Sequence, residues 1–90
     1  MVKVSGRVYS TAEVAEKLDV TFRMLDHYLR RGHVYIASEA SGSGSRRKWT
    51  HREVEALRVC LNQVREAQEL LDAFARGELW RQALEEVHDG

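Results

Sequence analysis

Ninety residues, 43% apolar and 31% charged, read as a single globular domain with a modest core, too small to house a catalytic domain beside a regulatory one. No apolar run is long enough to span a bilayer, Met1-Val2-Lys3-Val4 runs straight into polar residues rather than a signal peptide, and the single cysteine, Cys60, excludes an intrachain disulfide and a cysteine-rich zinc site, so a reducing cytoplasm is the expected compartment. Net charge is zero, yet residues 1–52 carry ten Lys/Arg against five acids and residues 53–90 carry four Arg against nine acids; a basic half joined to an acidic half suits a nucleic-acid reader with a protein-facing segment, although acidic helices also simply keep small domains soluble.

Ser10-Thr11-Ala12-Glu13 has the form of a capping box, in which the serine oxygen accepts from the third helical N–H and the glutamate reaches back. Val14, Ala15 and Leu18 follow at helical spacing, and the helix is expected to end near Asp19-Val20. Thr21 is the next N-cap, so a few residues separate two helices, which is the helix-turn-helix layout. The second helix is expected from about Phe22 to Arg31. Leu25, Tyr28 and Leu29 form its inward stripe, Phe22, Arg23, Asp26, His27 and Arg30 fall on its other sides, and Gly32 stands where a left-handed residue belongs.

Val34-Tyr35-Ile36-Ala37 reads as a short strand. Ser38 to Ser45 is a flexible turn ending in Gly42-Ser43-Gly44-Ser45, and Arg46-Arg47-Lys48-Trp49 is expected to return as the partner strand, a β-hairpin wing with a basic arm. Thr50-His51-Arg52-Glu53 is a second capping box and opens a third helix with Val54, Leu57, Leu61 and Val64 on one face. The pattern runs on through Ala67, Leu70, Leu71 and Phe74 to Gly77, and it leaves open whether residues 51–76 form one helix or two joined near Asn62-Gln63. Leu79, Trp80, Ala83, Leu84 and Val87 mark a last amphipathic helix. Its simplest role is to pack on its own core; the alternative is a contact with a neighbouring copy, made by a segment that is removable without loss of the fold.

In a helix-turn-helix the second helix enters the major groove. Here it offers Arg23, His27 and Arg30 to base edges or phosphates, with Thr21 and Phe22 at its leading end, while Arg30 and Arg31 also complement the helix dipole. Arg46, Arg47 and Lys48 of the wing suit phosphate contacts. Strand alternation turns Arg46 and Lys48 one way and Arg47 the other, and the bland alternative is an edge strand blunted by charge. Gly42-x-Gly44 lacks the strand-before, helix-after context of a phosphate cradle. His27, His33, His51, His88 and Cys60 show no ligand spacing, and no Ser/His/Asp arrangement stands out, so neither a metal, a cofactor nor a catalytic activity is expected. A protein-interaction module with an incidental basic half is the reading from another class.

Three stretches resemble the MerR family: Tyr9-Ser10-Thr11-Ala12-Glu13-Val14-Ala15, Leu25-Asp26-His27-Tyr28-Leu29-Arg30-Arg31-Gly32, and Gly42 through Thr50. The resemblance covers about residues 8–62, and it implies a mainly α winged helix-turn-helix with a two-stranded wing and C-terminal helices. One winged-helix DNA-binding domain is expected over residues 1–90, with its core at 8–62 and an acidic helical segment at 63–90. The resemblance implies that Tyr28 and the wing arginines, Arg47 above all, lie at the DNA, and that Trp49 packs under the wing. Asp19 stands where the family often has glycine, so the turn is expected to differ in detail. The chain ends at Gly90 without the long dimerisation helix and effector region of family regulators. In that it resembles the truncated members, among them phage excisionases, which bind and bend attachment-site DNA in several copies and direct an integrase. The implied function is such a recombination accessory factor on double-stranded DNA, nucleoid-associated in a bacterial host; a minimal transcriptional regulator is the alternative.

Overall fold

A computed structural model describes residues 8–38 and 47–87. Ser10 closes the first strand, β1 (Val8–Ser10). Its hydroxyl accepts from the Glu13 amide at 3.1 Å and its own amide donates to the Glu13 carboxylate at 2.8 Å, so the expected capping box forms and α1 (Thr11–Leu18) starts there. Asp19 ends that helix in the left-handed region, φ 59°. A short polar side chain tolerates this backbone better than most residues, so the aspartate takes up a conformation that a glycine adopts readily, and Val20 closes the turn onto the Ala15 carbonyl at 2.9 Å. The Thr21 hydroxyl then accepts from the Met24 amide at 3.0 Å, and α2 (Phe22–Arg31) runs to Gly32 at φ 84°. These two helices make the helix-turn-helix.

The sheet differs from the sequence expectation. Val34–Ile36 form no strand, and residues 37–38 enter a 3-10 turn. The partner of β2 (Lys48–Thr50) is β1, antiparallel, with Val8 opposite Thr50, Tyr9 opposite Trp49 and Ser10 opposite Lys48. The reason is side-chain burial: the Tyr9–Trp49 pair turns inward, and the Trp49 indole N–H donates to the Thr11 hydroxyl at 3.1 Å inside the core. Val34 and Ile36 are buried even so. Their segment is held by other acceptors, with the Ala37 amide donating to Glu53 at 3.0 Å and the Lys48 amide to the Ser38 hydroxyl at 2.8 Å. The Gly42–Ser45 turn and Arg46 lie outside the described residues.

The second capping box also forms. Thr50 accepts from the Glu53 amide at 3.2 Å and donates its own amide to the Glu53 carboxylate at 2.9 Å, opening α3 (His51–Glu66). The helix breaks at Ala67, where φ is −142° and ψ 96°, and not near Asn62-Gln63. A 3-10 turn (Gln68–Leu70) and a one-turn helix α4 (Leu71–Ala75) lead to Gly77, and α5 (Glu78–Glu86) folds back on α3. Leu79, Trp80 and Ala83 are buried there, and Leu84 and Val87 pack against the same core. The Arg52 guanidinium donates from Nε and from a terminal nitrogen to the Leu84 carbonyl, a group in the last turn of α5 that has no partner within its own helix. The acidic segment is therefore part of the fold. Deleting residues 78–90 would remove buried Trp80 and uncover the α3 face beneath it, so this segment is not a detachable contact arm.

Two glycines make a comparison that checks this closure. Gly32 and Gly77 both have left-handed backbone, φ 84° and 81°, but a Cβ on Gly32 would meet nothing within 4 Å, whereas one on Gly77 would lie 3.1 Å from the Gly32 carbonyl oxygen. Gly32→Ala is expected to destabilise by about 1–2 kcal/mol, the cost of a left-handed alanine. Gly77→Ala is expected to cost more, because that carbonyl must also shift. Urea denaturation of the two variants measures the order, and equal losses would remove Gly77 from contact with the end of α2.

Candidate nucleic-acid interface

The outer face of α2 is built by exclusion. Leu25 and Leu29 are buried against the core, which leaves Phe22, Arg23, Met24, His27, Arg30 and Arg31 exposed. Arg23, Asp26, His27 and Arg30 recur at the three- and four-residue spacing that puts them on one side of a helix. Thr21 is exposed as a residue, but its hydroxyl is occupied as the cap of α2. Lys48 is exposed on β2. Arg46 lies outside the described residues.

Arg47 sits elsewhere than a free wing cation would. Its side chain is 14% exposed, and its terminal nitrogen donates to Asp26 Oδ1 at 2.8 Å. Asp26 Oδ2 accepts from Arg30 Nε at 2.7 Å, and that arginine is 73% exposed. One carboxylate thus joins the wing base to the middle of α2. The Arg47 hydrogen bond, helped by the charge of Arg30, holds the Asp26 carboxyl below its ordinary value of 3.8. Strand alternation explains the direction of Arg47, which turns to the same side as buried Trp49 while Lys48 turns outward.

Tyr28 is half-buried. Its ring stacks on His33 with centroids 5.3 Å apart and meets Phe74 of α4 edge-on at 5.0 Å. His33 also touches Phe74 at 5.1 Å and His27 at 5.5 Å. Burial pushes the Tyr28 phenol above its ordinary value. It also pushes His33 below its own value of 6.5, with the charges of His27 and Arg31 acting the same way. The His33 Nδ1 is buried with no hydrogen-bond partner among the described residues. This aromatic cluster ties the inner side of α2 to α4, and it joins Phe74 and His33, which no spacing in the sequence connects to α2. Cys60 is buried, and its thiol is pushed up to about 12 by that burial and by Glu86, which leaves it unreactive. Among the described residues no group of His, Cys, Asp and Glu has the geometry to hold a metal ion, and no helix is long and apolar enough to cross a membrane.

The depressed His33 value has a definite sign. Between the folded value and 6.5 the unfolded chain binds more protons than the native one, so stability rises with pH across that window and falls as the pH drops below about 6.5. His33→Phe keeps a ring against Tyr28 and Phe74 and removes the titration. Thermal unfolding between pH 5 and 7 is expected to show a flatter pH dependence in this variant. An unchanged dependence would assign the effect to another group.

The description MerR HTH family regulatory protein belongs to the family model that matches residues 9–72. No curated protein and no solved structure gives a match.

Proposed function

Since the chain belongs to the MerR helix-turn-helix family, we propose that it binds double-stranded DNA, with α2 in the major groove and the β2 end of the wing on the adjoining backbone. The observation that carries this reading is the exposed face of α2, on which Arg23, His27 and Arg30 stand together, with Lys48 exposed on β2. Arginine matches the guanine edge in the major groove, lysine suits phosphate, and residues early in a reader helix reach bases first. Thr21 and Phe22 lie at that leading end. Tyr28, held on the inner side by Phe74, serves to set the seat of the helix. Binding is duplex-specific and uses no cofactor, and the protein works in the cytoplasm on nucleoid DNA.

Gel-shift titration separates the two kinds of contact. Arg23→Ala is expected to weaken a selected site by about 1–3 kcal/mol and random duplex little. Lys48→Ala is expected to weaken both alike and to lower the salt slope by about one unit. Absence of any duplex binding at low salt would overturn the reading in favour of a protein-interaction module.

Within DNA binding, the proposed role is an accessory factor that binds and bends recombination-site DNA in neighbouring copies and directs an integrase. What supports it is that residues 67–87 fold back as a lid on α3, which makes a compact module able to stand beside a copy of itself. The description of the matching family as regulatory proteins favours the second reading, a minimal transcriptional regulator. Duplexes with one, two and three phased sites, examined together with circular permutation of the bend, distinguish the two roles. The accessory factor fills them cooperatively and bends them cumulatively, because neighbour contacts offset the deformation energy. Independent filling of a straight duplex leaves the regulator.

A further inference from the structure

Asp26 is the one acid in α2, and it stands between Arg23 and Arg30 on the face that the proposed function turns toward a polyanion. Taken alone, a carboxylate there opposes binding. Its two oxygens are nevertheless both occupied, one by Arg30 at 2.7 Å from its own helix and one by Arg47 at 2.8 Å from a segment 21 residues away. The pair with mostly exposed Arg30 contributes little to stability, whereas the part-buried pair with Arg47 also fastens the segment before β2 to α2. What the carboxylate does determine is where two guanidinium groups lie relative to α2. Without it, the neighbouring cations Arg30 and Arg47 repel, and the exposed Arg30 side chain regains rotamer freedom that DNA binding must then remove.

We propose that Asp26 is a positioning residue for DNA recognition, a carboxylate that holds Arg30 and Arg47 against α2 before DNA arrives and so fixes the register between reader helix and wing. The inference rests on the duplex-binding reading above, and it predicts an effect opposite to that of simple charge. Removing a negative charge from a DNA-binding face raises affinity for every duplex. Removing a positioning carboxylate lowers discrimination, because Arg30 and Arg47 still attract phosphate but lose the contact that sets them relative to each other.

The test uses the full chain and its Asp26→Asn, Asp26→Ala, Arg47→Ala and Asp26→Ala/Arg47→Ala variants. Fluorescence anisotropy is measured against a duplex selected from a random pool and against a scrambled duplex of equal length, over a range of salt. The ratio of the two affinities is expected to fall about tenfold in both Asp26 variants, with scrambled-duplex binding unchanged or tighter. The double variant should lose more discrimination than Arg47→Ala, because Asp26 also holds Arg30, but less than the sum of the two single losses, since residues that share a contact are not additive. Circular dichroism confirms the fold of each variant. Asp26→Asn keeps the shape of the side chain, so it tests the charge if the alanine variant fails to fold. Equal tightening on both duplexes would overturn the proposal and leave Asp26 a plain repulsive charge, and an unchanged ratio would overturn it as well. If the unmodified chain binds neither duplex, the duplex-binding reading falls first; binding by the unmodified chain with no change in the Asp26 variants removes the positioning role alone.

Discussion

A buried indole N–H left unpaired costs about 1–3 kcal/mol; Trp80 Nε1 has no partner among the described residues, so a buried acceptor for the other indole is a requirement the fold meets at one place. Trp49 meets that requirement with the Thr11 hydroxyl, 38 residues earlier in the chain. That pairing places β2 against the start of α1, and much of the domain's arrangement follows from it. Tyr9 is drawn in opposite Trp49, so β1 takes the edge of β2. Thr50, next in line, caps α3, and Glu53 satisfies both that cap and the Ala37 amide. Because Arg47 is two residues before Trp49, it turns to the same side and reaches Asp26. A core contact thereby sets the position of a cation at the candidate interface.

What was legible in the sequence is what local chemistry decides. The caps at Ser10, Thr21 and Thr50 and the left-handed Gly32 are each signalled by residues within four positions, and each formed where the spacing indicated. The partner of β2 was not legible. Val34-Tyr35-Ile36 and Val8-Tyr9-Ser10 both have strand character, and the choice between them depends on which aromatic packs against Trp49 and on a threonine far away in sequence. The break at Ala67 was hidden for a related reason, since neither glycine nor proline marks it. A helix continued straight from Leu61 would carry Phe74 about 20 Å along its axis, out of reach of α2. The interruption lets Phe74 cover Tyr28 and His33, and it brings Trp80 back onto α3.

Asp26 shows the same limit at the site. Its pairing with Arg30 is written in the four-residue spacing, whereas its pairing with Arg47 depends on the wing base being brought to α2 by Trp49. Counting cations in the basic half therefore overstated the charge available to a ligand. Arg52 is engaged with the end of α5 and Arg47 with Asp26, while Arg23, Arg30, Arg31 and Lys48 are the exposed ones around α2 and β2.

The fold of α5 constrains how copies of this protein are able to meet. Its apolar side is consumed by α3, with Trp80 fully buried and Leu79 and Ala83 nearly so. Arg81, Gln82, Glu85 and Glu86 are what it shows to solvent. Under the proposed function, a contact between this surface and the basic face of a neighbour is a contact between solvated charges. Each such pair contributes about 0–1 kcal/mol and is screened over about 10 Å at 0.1 M salt. Several pairs acting together, on copies already held in phase by DNA, are needed before the sum rivals the cost of bending a site. Neighbour contacts of this kind weaken with salt alongside the phosphate contacts. Under the proposed function, the duplex is then the scaffold that brings the α5 surface of one copy within range of the basic face of the next.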